Sequence, residues 1–514
     1  MAGAGHGGAL IKDVQAGLPE GPVTSGSREW LDLVVHAVKG LEKRGMQAAM
    51  HNSPGYSGVG SHALPVNETM KELVWTESRI TANSSSDTIL PKPFSKLGVY
   101  QDLFTLAYPT GQGEGRLAFR DAVQEVHINE TAVKTNITST INRTNLLRLE
   151  SKSAKLDIAF KETFTAQAIA IYRIPELPLN TFDGARDYPS QWSISVSNNS
   201  VDWTSVSVTV SAPALRQMDA PAVITFNQVK AKYLRLVPSG PTWITGIDVS
   251  SSPRLPNWAV KSHGAPGTVT AASFTTADLP SIDPSSIIDV SSHLTNDGKL
   301  KWRPSNDETY TVVRIGYTVT GQEMPATPDR YGGLSVDLFS KKSIDAHFDT
   351  HLTRVIKALK PYIPRTFYGF EIDSYELGRI IGSTEKTENF LYDFRLTHAD
   401  LVKTNSYEYF QERLRKRGLS LLIEPYGDGP FDSMELATSA DFAYGEFWSH
   451  YTYGSDGYPK LGDSSSHIQR ERIQPVEAFT GQPDISTWTE HPFQLKATGD
   501  RMMTLGPNRF IFHS

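Results

Sequence analysis

Apolar residues fall at helical spacing from Arg28 onward. Trp30, Leu31, Val34, Val35, Val38 and Leu41 share one face. Gly45 ends that run, and residues 46–50 then read as a short buried strand. The strand enters His51-Asn52-Ser53-Pro54-Gly55-Tyr56-Ser57, a loop with turn chemistry. Residues 66–71, with Asn67 as cap, predict the start of the next helix. Residues 1–27 are Gly-rich without periodicity and read as an N-terminal stub.

The pattern then changes period. Over 72–304, short alternating runs of Val, Ile, Thr and Tyr are separated by Ser, Asn, Gly and Pro. Residues 168–172, 192–197, 206–210 and 233–237 each read as a strand, and strands so spaced predict a β-sandwich. The run Ser193-Ile194-Ser195-Val196-Ser197, with Trp203 and Lys232-Tyr233-Leu234-Arg235-Leu236 after it, resembles discoidin-type jelly rolls. Such modules either bind sugars or pack, and packing is the reading preferred here.

Beyond residue 309 the α/β pattern returns. Helices expected over 346–359, 390–416 and 493–505 separate apolar runs that end on carboxylates: Glu376, Glu424, Glu446 and Glu477. A last strand is expected over 509–513. The expected architecture is therefore a (β/α)8-type barrel, incomplete with about six strands, carrying an inserted β-sandwich. Its divisions are a stub (1–27), a first barrel part (28–75), an inserted β-rich region (76–308) and a second barrel part with the acids (309–514).

Composition narrows the chemistry. The chain has no cysteine, which excludes disulfides, thiolate metal sites and cysteine nucleophiles. The net charge of −6, with both signs dispersed, gives no reason to expect a nucleic-acid or membrane partner. Sequons at Asn67, Asn83, Asn129, Asn136, Asn142 and Asn198 lean toward an extracellular protein, although no leader is legible at the start.

A β/α-barrel presents its active groups from the C-terminal ends of its strands, so acids collected there point to acid/base work or a hard cation. Glu477 follows an apolar run, where an unpaired acid is costly. Glu376 follows Asp373-Ser374, a pair that elsewhere often caps a helix. Glu446 is either a cation ligand or an acid neutralised by an arginine. Glu424, before Pro-Tyr-Gly-Asp-Gly-Pro, holds either a turn or the substrate. Tyr426 and Trp448 could stack on a sugar face. His347 and His351 stand four apart, but Phe348 replaces the glutamate of a zinc motif, so a solvated helix face is expected.

Several blocks, taken in order, resemble one family. They are His51 to Ser57, Met70-Lys71-Glu72-Leu73-Val74-Trp75, Ile372-Asp373-Ser374-Tyr375-Glu376, Glu424-Pro425-Tyr426-Gly427-Asp428-Gly429-Pro430, Gly445-Glu446-Phe447-Trp448, Glu477-Ala478-Phe479-Thr480, His491-Pro492, Gly499-Asp500-Arg501 and Asn508 to His513. Together they resemble glycoside hydrolase family 106, the α-L-rhamnosidases. The resemblance implies inverting, calcium-assisted hydrolysis of terminal α-L-rhamnosides, with Glu376 as general acid and Glu477 as general base. It implies Glu446 as a calcium ligand or sugar-orienting group. His51, Asn52, Asp373, Glu424, Tyr426, Trp448 and His513 are the expected substrate contacts. The expected partner is a rhamnose-containing glycoside, oligosaccharide or polysaccharide. The alternative is a catalytically impaired relic that binds carbohydrate.

Overall fold

The computed structural model describes residues 2–14, 21–55, 58–85, 87–111, 119–133, 147–173, 191–212, 222–251, 282–324, 333–373, 393–394, 396–427, 431–449, 457–481 and 489–512. Glu376 and His513 lie outside them.

Two parallel ladders carry the α/β part. The first runs, in order, through Gly8–Ile11, Gln47–His51, Phe367–Ile372, Ser420–Ile423 and Phe442–Ala443. The second runs through Gly445–Trp448, Pro475–Thr480 and Arg509–Phe512. Residues 442–448 form one strand interrupted at Tyr444, so among the described residues the ladders join into a row of seven parallel strands. The expectation of about six is corrected by Gly8–Ile11, which pairs residue for residue with Gln47–Met50. Residues 1–27 are therefore not merely a stub. Four residues give too short a window for periodicity, and only the partner strand reveals them.

Alternation along these strands separates two environments. Ala48, Met50, Phe367, Phe370, Ile372, Leu421, Ile423 and Ala443 face outward, into a core shared with Val34 and Val38 of the Arg28–Glu42 helix and with Ile344, Phe348 and Phe410. That helix starts where Ser27 accepts a hydrogen bond from the Trp30 amide, 3.0 Å. The opposite positions Leu10, Ala49, Tyr368, Leu422, Phe442, Tyr444 and Ile511 form a second, smaller cluster. Leu10 and Ile511 belong to the first and last strands of the row, so the sheet curls until its ends share one interior.

The predicted helix at 66–71 is a single 3-10 turn, Val66–Glu68, after Pro65. From Lys71 the chain enters the ten-residue strand Lys71–Ile80, which pairs antiparallel with Tyr310–Val319 along its whole length. Long-range pairing overrides a local cap signal here. Lys71–Ile80, Tyr310–Val319, Gln101–Pro109 and Ile288–Asp289 make a four-stranded sheet. The β-region thus begins at Lys71 rather than residue 76. Tyr310–Val319 belongs to it, not to the second α/β part.

A nine-stranded antiparallel sheet occupies residues 123–250. Its spine is the strand pair Leu156–Arg173 and Ala222–Pro238. Leu156, Ile158, Phe160, Ile169, Ile171, Ile194, Leu234 and Leu236 supply its core. All four strands read from sequence fall inside it, although 206–210 is divided between Thr204–Val206 and Val208–Ala212.

Candidate functional site

The strands that place Ala49, Leu422 and Phe442 inward continue, by the same alternation, to inward polar groups at their C-terminal ends. His51 and Glu371 are register partners, and so are Glu446 and Glu477. Asp373 lies two residues beyond Glu371, and Glu424 two beyond Leu422. His51, Glu371, Asp373, Glu424 and Glu477 are all buried.

Lys12, one residue past the first strand, binds them together. Its Nζ lies 2.7 Å from Asp373 Oδ2, 3.4 Å from Glu371 Oε1 and 3.5 Å from Glu477 Oε2. Thr480 donates to Glu477 Oε1 at 2.8 Å. Tyr444 donates to Glu371 Oε1. Lys12, Glu371 and Tyr444 were not expected as site residues. The two-residue spacing of Glu371 and Asp373 could have flagged Glu371, whereas nothing near Lys12 in sequence marks it.

Burial and mutual charge set the protonation of the group. Burial, then the charges of Asp373, Glu477 and Glu446, push Glu424 well up. Burial also opposes ionisation of Asp373, but the Lys12 ammonium, a hydrogen bond from Glu424 and the charge of His51 hold it well down. One proton therefore rests on Glu424 and points at an ionised Asp373. Burial pushes Glu371 up to about 7 against the pull of Lys12. Burial opposes the charge on Lys12 too, yet the surrounding carboxylates raise its pKa. Burial and Lys12 bring His51 down to about 4. Its Nδ1 donates to the Ser53 carbonyl at 2.7 Å, and Nε2 has no partner.

The remaining expected residues divide. Asn52 gives both amide hydrogens to the carbonyls of Gly58 (2.9 Å) and Glu371 (3.0 Å), and its Oδ1 faces His347 Nε2 at 3.1 Å. Its side chain thus clamps the loop. Tyr426 is buried, and its ring stacks on Tyr458 with centroids 4.1 Å apart. One face is covered, while its hydroxyl lacks a partner. Glu446 and Trp448 are half-buried at the next strand end.

The solvated helix face expected for His347 and His351 is wrong: both are buried, and their rings stack at 5.8 Å. The helical stretch 341–359 turns that face toward the Arg28–Glu42 helix, where Trp30 meets His351.

Among the described residues, two sets of groups could hold a metal: His51 with Glu371 and Asp373, and Asp373 with Glu424 and Glu477. Within each set the ligand atoms lie within 4.8 Å of one another. The second set offers only oxygen, which suits a hard cation such as calcium. Glu424 Oε1, buried without a partner, is the orphan such a cation would satisfy. Glu446 belongs to neither set among the described residues.

Comparison with known proteins gives this arrangement a context. A protein of Formosa agariphila provisionally named a beta-glucuronidase is 24% identical over 98% of this chain and 34% of its own length. The solved rhamnosidase from Novosphingobium sp. PP1Y matches with a TM-score of 0.74 and 19% identity, over 100% of this chain and 52% of that one. The chain therefore spans about a third to a half of the length of these relatives. A pectin-binding carbohydrate-binding module covers 26% of this chain with a TM-score of 0.19, too low to carry an argument. The family model described as alpha-L-rhamnosidase matches residues 1–379 and 365–514, from the Gly8–Ile11 strand to the last. On that match the chain belongs to the alpha-L-rhamnosidase family of glycoside hydrolases, family 106.

Proposed function

We propose that this protein hydrolyses terminal α-L-rhamnosides with inversion. The observation that carries the reading is the convergence of four buried carboxyls, Glu371, Asp373, Glu424 and Glu477, on one interior. Buried carboxyls with perturbed proton affinities gather at functional sites.

Spacing narrows the roles. Inversion uses carboxyls about 6.5–9.5 Å apart, leaving room for water. The ligand oxygens of Asp373, Glu424 and Glu477 approach within 4.8 Å, so no two of these three make that pair. Glu477 is the proposed general base, oriented by Thr480 and Lys12. Glu376, three residues beyond Asp373, is the proposed general acid. Asp373, Glu424 and His51 are proposed to hold sugar hydroxyls, with Tyr426, Trp448 and His513 completing the pocket. We propose calcium on Asp373, Glu424 and Glu477, with Glu446 alongside. When bound it would neutralise the acids and hold vicinal hydroxyls. The proposed frame is a (β/α)8-type barrel, and the 123–250 sheet is proposed as a discoidin-like packing module. An extracellular location is part of the same proposal.

Hydrolysis of an aryl α-L-rhamnoside by the purified chain tests the reading. Turnover by the wild type that Glu477→Gln abolishes supports it. A folded chain with no turnover favours the carbohydrate-binding alternative.

A further inference from the structure

Lys12 holds two of the three oxygen donors that make the calcium-compatible set. Its Nζ lies 2.7 Å from Asp373 and 3.5 Å from Glu477, while Glu424 keeps an oxygen with no partner. A divalent ion in contact with Asp373 and Glu477 would stand beside that ammonium. Two positive charges in contact inside a buried cluster repel strongly, because little water screens them. The ammonium and the metal therefore cannot both be fully seated.

We propose that Lys12 is a resident cation of the carboxylate cluster, and that calcium binds only by displacing it. The idea rests on the calcium reading above. The means of displacement is visible. Lys12 sits just past the end of its strand on a flexible four-carbon stem, and its side chain keeps 19% exposure. It can withdraw toward solvent without disturbing the strand pairing. In the absence of metal it neutralises acids that would otherwise repel one another. The cluster thus has two states, closed on the chain's own ammonium or opened onto an external cation.

The test is calcium titration of the full chain by calorimetry, together with melting temperature in calcium and in chelator. Lys12→Met removes the competitor. Lys12→Gln does the same with a polar side chain, should Met impair folding. Lys12→Arg keeps the charge. The expected result is calcium affinity at least about tenfold tighter in the Met or Gln variant than in wild type, with a larger calcium-dependent rise in melting temperature. The Arg variant should bind as weakly as wild type. Equal affinities across all the variants would overturn the competition and leave the calcium site standing. No calcium bound by any variant would overturn both. Neither readout requires turnover, so failure of the hydrolase reading registers separately in the rhamnoside assay.

Discussion

The α/β part and the nine-stranded sheet treat the inner face of a strand in opposite ways. In the 123–250 sheet the core is mainly apolar, from Leu156 and Ile158 to Leu234 and Leu236, and the buried polar side chains among its described residues, such as Thr225 and Thr245, are uncharged. Its strong ion pair, Arg235 bidentate on Asp157 at 2.6 and 2.7 Å, stays half-buried, with Trp203 beneath the guanidinium at 3.8 Å. In the α/β part the inner face begins apolar, with Leu10, Ala49 and Leu422, and becomes acidic at the strand ends. A parallel sheet is covered on its outer face by helices, so its stability comes from that layer. Its interior is then free to hold groups that cost stability. One region is packed for stability, and the other gives some up at one end.

This contrast predicts how each region fails. The largest effect is expected for Glu477→Gln, which should lower rhamnoside turnover about 10²–10⁴-fold with little change in melting temperature. Glu376→Gln should behave alike. Unchanged turnover in either would remove that residue from the acid/base pair. In the 123–250 sheet the reverse is expected. Ile169 and Leu236 are fully buried, and truncating either to Ala should cost about 2–5 kcal/mol in denaturant unfolding. Turnover by the molecules still folded should be unchanged, and a fall in their kcat would show that the sheet reaches the site.

pH sharpens the comparison. Glu371 is raised from 4.5 to about 7, so the folded chain binds more protons than the unfolded one between those values. Stability should therefore fall as pH rises through that window, by about 3 kcal/mol in all. Glu371→Gln should flatten this slope, as urea melts at pH 4.5 and pH 8 would show. A slope unchanged in the variant would mean another group carries it. The histidines act with opposite sign. His51 falls to about 4 and His351 to about 3, both from burial first, so stability is lost as pH drops below about 6.5. The smallest effect is expected for Arg235→Met, about 1 kcal/mol, since a solvent-reached pair contributes little. A cost above about 3 kcal/mol would place that pair functionally inside the core.

What was legible in the sequence follows from the range over which each feature is written. The Arg28–Glu42 helix, the Gln47–His51 strand and the Trp192–Ser197 strand are patterns of adjacent residues, and they were read nearly to their ends. The acids at strand ends were legible because an apolar run stopping on a carboxylate is itself local. The helix expected at 66–71 failed because the Lys71–Ile80 strand answers to a partner more than 200 residues away. That Asn52 clamps its loop was not legible, because the carbonyls it binds belong to Gly58 and Glu371.

By itself, then, the sequence determined the periods of the elements, the family they resemble and two strand-end acids that the fold buries, Glu424 and Glu477. Only the tertiary structure decided that residues 8–11 are a strand, that Lys12 reaches all the acids it binds, and which carboxyl keeps the proton. The reason is physical. Periodicity is set by neighbours a few residues apart, whereas burial and charge at the site depend on groups up to 465 residues apart, as Lys12 and Glu477 are. Their effect exists only once the strands stand side by side.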